Sequence, residues 1–310
     1  MRVRTYDLVM THALDSDDFF IHRVQEHCAA RGLNFFLADP HWVQLLHDKI
    51  AAGEVTVRAL LNMHSEHHLP DDPFHRLVRL AHERGAAVID PPELAAAGFD
   101  KANLHPKLAK AGLKAPATVI VPREQVGTFQ LSESDRAALG APFVIKPSMG
   151  YGKKGLVLDA QDERDIERSA SAWASPAYLL QKKITPRFIQ DAPAYFRLYY
   201  VFGAIWICWW NCFNDRYRLA TRSDLEEFGL SRLQEIPSIL AGITHMNFFS
   251  TEVAQSDAGE FILIDYVNDQ CHMLTQSSNP RTGVPDEVVA GIARRLVEGA
   301  QQLIRARGTA

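Results

Sequence analysis

The chain has 310 residues, 47% hydrophobic and 23% charged, enough to bury a sizeable core and to build two or three compact units. A formal net charge of -4 leaves no basic footprint for a nucleic-acid partner, and no apolar run approaches the ~20 residues of a membrane span. Cys28, Cys208, Cys212 and Cys271 are too few and scattered for a disulfide framework, so reduced thiols in a soluble cytoplasmic protein are expected.

YDLVMTH reads as a first strand, and DSDDFFIHRVQEHCAARG as a helix with acidic residues in its first turn and Gly32 after its end. LNFFLAD, TVRALLNMH and AAVIDPP read as further strands, separated by helices over PHWVQLLHDKIAAG and DPFHRLVRLAHERG. Strand and helix in turn predict a parallel sheet with crossover helices and ligand contacts at the strand C-terminal ends. No GxGxxG follows the first strand, which argues against a dinucleotide site. His12 and Asp15 after the first strand, and the loop NMHSEHHLPDD after the third, are candidates for substrate contact. A zinc site over His64, Glu66, His67 and His68 is the alternative, although adjacent ligands crowd the ion; a plain polar loop is the simplest explanation.

From residue 100 the pattern changes. KANLHPKLAKAG predicts a helix in which Pro106 is unfavourable outside the first turn, and ATVIVP a strand. After APFVIKPSMGYGKKG come a polar helix, DERDIERSASAWA, and a strand, AYLLQKKI. YFRLYYVFGAIWICWWN predicts two strands turned at Phe202-Gly203-Ala204, with Cys208, Cys212 and the tryptophans read as core packing. NFFSTEVAQSDAGEFILIDYVND predicts a hairpin around Asp257-Ala258-Gly259, and DEVVAGIARRLVEGAQQLIRAR a closing helix.

Two stretches carry chemistry. Lys146 lies in an otherwise apolar strand, where its charge is costly unless an anion sits beside it. Gly150, Gly152 and Gly155 follow, letting backbone N–H groups approach phosphate oxygens; a mobile surface loop is the bland alternative. GYGKKG is not a P-loop, since no Ser or Thr follows the lysine. In the hairpin, a two-residue turn at Ala258-Gly259 places Glu252 opposite Asp265, whereas a three-residue turn shifts the pairing by one. Opposed carboxylates repel unless a cation lies between them or both face solvent; oxygen ligands at that spacing suit Mg2+, and Asn268 offers a further neutral oxygen.

Together these segments resemble the ATP-grasp superfamily, in the group of D-alanine–D-alanine ligase and glutathione synthetase. The resemblance covers roughly residues 85 to 275 and rests on six segments in family order. FDKANLHPKLAKAGLKAPATVIVP resembles the family's first nucleotide lysine, here Lys101, with the helix and strand that follow it. PFVIKPSMGYGKKG matches the second lysine, Lys146, and the glycine lid of Gly150, Tyr151, Gly152 and Gly155. YLLQKKI matches the hinge that receives adenine through Gln181, Lys182, Lys183 and Ile184. AYFRLYYVFG is similar to a D-x-R-x-x-V strand, making Arg197 a phosphate-facing arginine, with Tyr195 where the pattern has aspartate. STEVA and LIDYVND match the metal strands, implying Glu252, Asp265 and Asn268 as ligands, with Asp269 as a substitute because the final motif is one residue longer than the pattern. Arg218, with Arg216 and Arg222 nearby, falls where relatives place an acyl-phosphate arginine.

The resemblance implies an α/β and α+β chain: a Rossmann-like N-terminal unit over residues 1–98, a lid lobe over 99–185 and a metal-binding lobe over 186–310. It implies an ATP-dependent carboxylate–amine ligase that works through an acyl phosphate, with ATP and Mg2+ (two ions, or Mn2+ in their place) as cofactors. The substrates would be a small-molecule or peptide carboxylate and an amine, with neither nucleic acid nor membrane as partner, and a homodimer would be unsurprising. The same fold supports hydroxyl kinases, which need a basic pocket that this N-terminal unit lacks, and binding modules that have lost catalysis.

Overall fold

The two most apolar strands of the first hundred residues become the centre of a parallel sheet. The computed structural model describes residues 3–13, 18–64 and 69–308; Asp15, Glu66, His67 and His68 lie outside the described residues. In chain order the first unit runs β1 (Arg4–Thr11), α1 (Asp18–Ala29), β2 (Phe35–Ala38), α2 (Val43–Ala51), β3 (Val55–Asn62), α3 (Pro73–Glu83) and β4 (Ala87–Ile89). All strand pairs are parallel and the sheet order is β2-β1-β3-β4. Leu8, Val9 and Met10 of β1 and Leu60 and Leu61 of β3 are fully buried, as expected of strands covered on both faces. Helix α3 starts where Asp72 accepts a hydrogen bond from His75 N at 2.7 Å and Pro73 fills the first helical position, its missing N–H costing nothing there.

A connecting pair follows, α4 (Pro92–Phe99) and α5 (Lys101–Lys110). Pro106 lies beyond the first turn of α5, so the helix forfeits one main-chain bond; Asp100 caps its start at Ala102 N (3.0 Å), and Leu104 and Leu108 anchor it by burial. The next unit comprises β5 (Thr118–Pro122), α6 (Glu133–Leu139), β6 (Phe143–Pro147), β7 (Val157–Ala160), α7 (Ile166–Ala172) and β8 (Ala177–Gln181). Its antiparallel sheet has the order β5-β8-β6-β7 and encloses a small core around Val121, Phe143, Ile145, Tyr178 and Leu180. The polar helix is shorter than expected: Glu163–Asp165 form a 3-10 turn and α7 ends before Trp173.

Beyond the short pair β9 (Phe188–Ile189) and β10 (Ala192–Pro193) come β11 (Tyr195–Val201), β12 (Ala204–Asn211), β13 (Arg216–Leu219), α8 (Arg222–Glu227), α9 (Ile236–Thr244), β14 (Phe248–Gln255), β15 (Phe261–Asn268) and α10 (Asp286–Gly308). The five long strands pair antiparallel in the order β13-β12-β11-β14-β15. The expected turn between β11 and β12 is a two-residue one: Phe202 and Gly203 both have positive φ, +47° and +85°, which suits strands with right-handed twist. One face of this sheet packs Phe196, Leu198, Ile207, Val253 and Leu263 against α5 and α9. Part of the other packs Tyr199, Val201, Cys208 and Phe248 against α10, whose Val288, Ile292 and Leu296 belong to the same continuous core as Leu8 and Met10 of the parallel sheet. The closing helix thus welds the first unit to the last. At the same junction the buried Asp90 carboxylate accepts bonds from Asn247 N (2.8 Å) and Phe248 N (2.9 Å).

Among the described residues no helix is long and apolar enough to cross a membrane. A Cβ at Gly299 of α10 would run into the Phe202 ring. Gly299→Ala gains about 1 kcal/mol of helix propensity, but overpacking costs about 1–3 kcal/mol, so urea unfolding should show a net loss of stability.

Candidate active site

The β14–β15 hairpin sets the site. Glu252 does pair with Asp265, but not by way of a two-residue turn. The loop is Asp257-Ala258-Gly259, with Gly259 at φ +79°, and beside it Gln255 pairs with Phe261 and Val253 with Leu263. That register alone would set Glu252 opposite Ile264. A bulge inserts Ile264 as an extra residue, which turns Leu263 into the far-side core and brings Asp265 opposite Glu252 in the cleft. A second irregularity places Asn268 opposite Ser250 while Tyr266 and Val267 both join the far-side core. The residue that makes the final motif longer than the pattern is absorbed there, so Asn268 returns to the face of Asp265.

Cations converge on these acids. Arg197 of β11 is the direct ladder partner of Glu252; its Nη1 donates to Glu252 Oε1 at 2.5 Å and its Nε to Ser250 Oγ at 3.1 Å. Lys146 reaches across from β6 and donates to the carbonyl of Ile264, the bulge residue, at 2.6 Å. Lys101, at the start of α5 and only 5% exposed, stands 3.5 Å from Asp265 Oδ1 and donates to Gly150 O at 3.1 Å. Burial pushes the Lys146 ammonium down from the ordinary lysine range, against the pull of Asp265 and Glu252. Burial also pushes the Glu252 carboxyl up, with Arg197 opposing and Asp265 reinforcing the shift.

The resulting donor set fits a hard divalent cation. Asp265 Oδ1 is buried and has no hydrogen-bond partner, since Lys101 stays at ion-pair distance; Asn268 Nδ2 is likewise buried and unpaired. An acceptor left open beside a second carboxylate and an amide is what Mg2+ accepts while keeping places for water and phosphate. Among the described residues no group of three or more His, Cys, Asp or Glu could hold a metal; the zinc alternative rests on Glu66, His67 and His68, which lie outside the described residues. The His64 ring meets Phe74 edge to face at 4.8 Å, and the His64 backbone N–H donates to Thr11 Oγ1.

The glycine loop, between β6 and β7, lies over this cluster. Gly155 has φ +67°, and a Cβ there would come within 2.7 Å of Pro147 and Trp173, so both conformation and space demand glycine. Tyr151 meets Trp173 edge to face at 5.6 Å, and the Lys154 ammonium sits 4.2 Å above the Tyr151 ring. Lys153 at the tip pairs with Asp215 at 3.3 Å, across on the turn between β12 and β13. At the hinge, Gln181 is buried and its amide donates to Thr118 Oγ1 (3.0 Å) and Tyr266 Oη (2.7 Å), while Lys182 N donates to Ala117 O. Lys183 and Ile184 make no main-chain hydrogen bond among the described residues.

No protein-family model matches the chain, and no curated protein matches it. Solved structures do. The chain is similar to D-alanine–D-alanine ligase from Bacillus anthracis, solved with ATP, at TM-score 0.65 and 14% identity over 98% of this chain and 99% of that one. It is similar to a RimK domain ATP-grasp protein from Sphaerobacter thermophilus at TM-score 0.62 and 18% identity, covering 94% and 100%. It is also similar to the ATP-grasp ligase PsnB, solved with the precursor peptide PsnA2 and AMPPNP, at TM-score 0.59 and 15% identity, covering 96% and 98%. The chain has the ATP-grasp fold.

Within this ATP-grasp chain the structure gathers Lys101, Lys146, Arg197, Glu252, Asp265 and Asn268, from the N-terminus of α5 and two different sheets. It does not gather Arg218. Arg218 pairs with Trp209, which pairs with Phe196, so it belongs to the sheet face opposite Arg197; there it is bound to Asp224 at 2.7 Å, the residue that completes the cap of α8. Arg216 shares that face, and Arg222 pairs with Glu226 on α8. The face that Arg216 and Arg218 occupy gives the expected acyl-phosphate role no geometric basis there. Cys208 is core, as read, whereas Cys212 is only partly buried. Residues not singled out from sequence are Tyr266 and His105, whose side chains meet at 2.6 Å beside Gln181; alternation along β15 sets Tyr266 away from Asp265 but gives no sign that Val267 would join it there.

Arg218→Ala should cost at most about 1 kcal/mol, the usual worth of an exposed ion pair, and leave nucleotide affinity within about twofold. Titration with a fluorescent ATP analogue checks this; a tenfold loss would return Arg218 to the site.

Proposed function

We propose that the chain is an ATP-dependent carboxylate–amine ligase that forms an amide or peptide bond through an acyl phosphate and releases ADP and phosphate. The observation that carries the reading is the charge cluster beneath the glycine loop: Lys101, Lys146 and Arg197 surround Glu252 and Asp265 on the cleft face of the sheet. Three cations against two carboxylates leave one net positive charge, too little for a triphosphate, and an open acceptor at Asp265 stands ready for a further cation. Similar structures add support, being ligases solved with ATP or with a peptide and a nucleotide analogue.

On this reading Lys101 and Lys146 hold the α- and β-phosphates, and Gly150, Tyr151, Gly152 and Gly155 cover the γ-phosphate. Adenine contact falls to the main chain at Lys183 and Ile184, because the Gln181 side chain and the Lys182 N–H are already engaged. Glu252, Asp265 and Asn268 would hold Mg2+, two ions in this family's pattern, which when bound neutralises charge on the phosphates. A substrate carboxylate oxygen forms a bond to the γ-phosphorus as the bond to the ADP oxygen breaks. The amine nitrogen then attacks the acyl carbon, phosphate departs with its oxygen, and the amine loses a proton. No side chain need act as nucleophile; Arg197 stabilises charge on the transferred group, and the loop keeps water from hydrolysing the acyl phosphate. Residues 1–98 would present the substrate, 99–185 form the lid lobe and 186–310 the metal-binding lobe.

Incubation with ATP, Mg2+ and pools of carboxylates and amines should give ADP release that depends on the amine. Turnover with a sugar or inositol hydroxyl would instead mark a kinase, and none with any pool a binding module. Lys146→Ala and Asp265→Asn should each cut ADP formation by at least about 100-fold with the circular dichroism spectrum unchanged; near-full activity in either would remove that residue from the site.

A further inference from the structure

We infer that Tyr195 is a positioning residue for Glu252, clamping the carboxylate in the orientation in which it takes a metal ion. The inference rests on the proposed reading of Glu252 as a ligand and goes beyond it in naming what holds that ligand. Both oxygens of Glu252 are engaged by one strand: Arg197 donates to Oε1, and the Tyr195 hydroxyl donates to Oε2 at 2.9 Å. The two donors are two residues apart on β11, so they share the cleft face, and the β11–β14 ladder sets Glu252 directly opposite the arginine. The Tyr195 ring is held in turn, only 7% exposed and packed edge-on against Trp210 at 5.2 Å.

Two donors on two oxygens fix both the plane and the tilt of a carboxylate. An ionised carboxylate has about four lone-pair sites, so two remain for a cation after both bonds are made. Asp265 lacks such a clamp: its Oδ1 has no hydrogen-bond partner and faces the Lys101 ammonium at ion-pair distance, 3.5 Å. The pair therefore consists of one oriented ligand and one adjustable one. Charge gives a second reason for tyrosine here. An acid at 195 would add a third negative charge beside Glu252 and Asp265 and compete for Arg197; a phenol donates the same kind of bond while leaving the cluster one unit more positive for phosphate. Hydrogen-bonding partners behind metal ligands typically carry a 10–100-fold effect on metal affinity.

The test is Mn2+ binding to the intact chain saturated with a non-hydrolysable ATP analogue, read from the electron paramagnetic resonance signal of free Mn2+. Tyr195→Phe keeps the ring and its packing and removes only the donor. Its Mn2+ affinity should fall about tenfold or more, while affinity for the same analogue in EDTA and the melting profile stay close to those of the unchanged protein. Asp265→Asn is measured alongside. If Asp265→Asn weakens Mn2+ binding and Tyr195→Phe does not, the positioning role is overturned and the metal site stands. If neither weakens it, the metal reading of Glu252 and Asp265 fails and the role of Tyr195 fails with it. A parallel loss of metal-free nucleotide affinity in Tyr195→Phe would show a structural role and also overturn the inference.

Discussion

The Lys146 ammonium is held where burial works against its charge, and the rest of the site is arranged around that fact. Its nearest partner is a carbonyl, that of Ile264, and carboxylates on two adjacent strands offset its desolvation. Glu252 is in the mirror situation: burial pushes its carboxyl up, and the Arg197 guanidinium opposes that shift. Neither group is stable there alone. Buried opposite charges cost desolvation that mutual attraction only partly returns, so a cluster of this kind is weak evidence for stability and better evidence for a ligand that completes it.

Two irregularities in β15 make the cluster possible. Insertion of Ile264 rotates Asp265 into the cleft and simultaneously presents the carbonyl that Lys146 uses. The second one returns Asn268 to the same face. Bulges re-aim side chains without breaking a sheet, and here the extra backbone residue is itself a ligand for the lysine. The packing behind the sheet keeps this arrangement in place: Leu263, Tyr266 and Val267 are anchored in the core shared with α5 and α9, so the strand has little freedom to slip back into register.

The glycine loop and the β12–β13 turn meet above the same cleft through Lys153 and Asp215. That ion pair is partly exposed and individually weak, which is compatible with the covering role proposed for the loop. The rigid part of the boundary lies elsewhere, in α10 and in Asp90, which tie the parallel sheet to the five-stranded one. The cleft is thus bounded by buried contacts at one end and by a partly exposed ion pair at the other.

Much of this was legible before any coordinates. The alternation of strands and helices in residues 1–98, the glycine loop and the β11–β12 turn all follow from periodicity and turn chemistry, which act over a few residues. The short helices α4, α6, α8 and α9 were missed because six to nine residues give too few turns for a helical pattern to stand out. The pairing of Glu252 with Asp265 was reached by counting through the wrong turn; a bulge restored what the longer loop had shifted. Arg218 was misplaced because a short edge strand, read alone, does not reveal which of its faces turns toward the cleft; pairing with Trp209 decides that. By itself, then, the chain determined its elements and the kinds of residue that the proposed phosphate and metal roles call for, since those are written in local composition and spacing. Which side chains meet, which oxygen is left open and which arginine is excluded were decided only by strand register and burial, because these depend on residues that are distant along the chain.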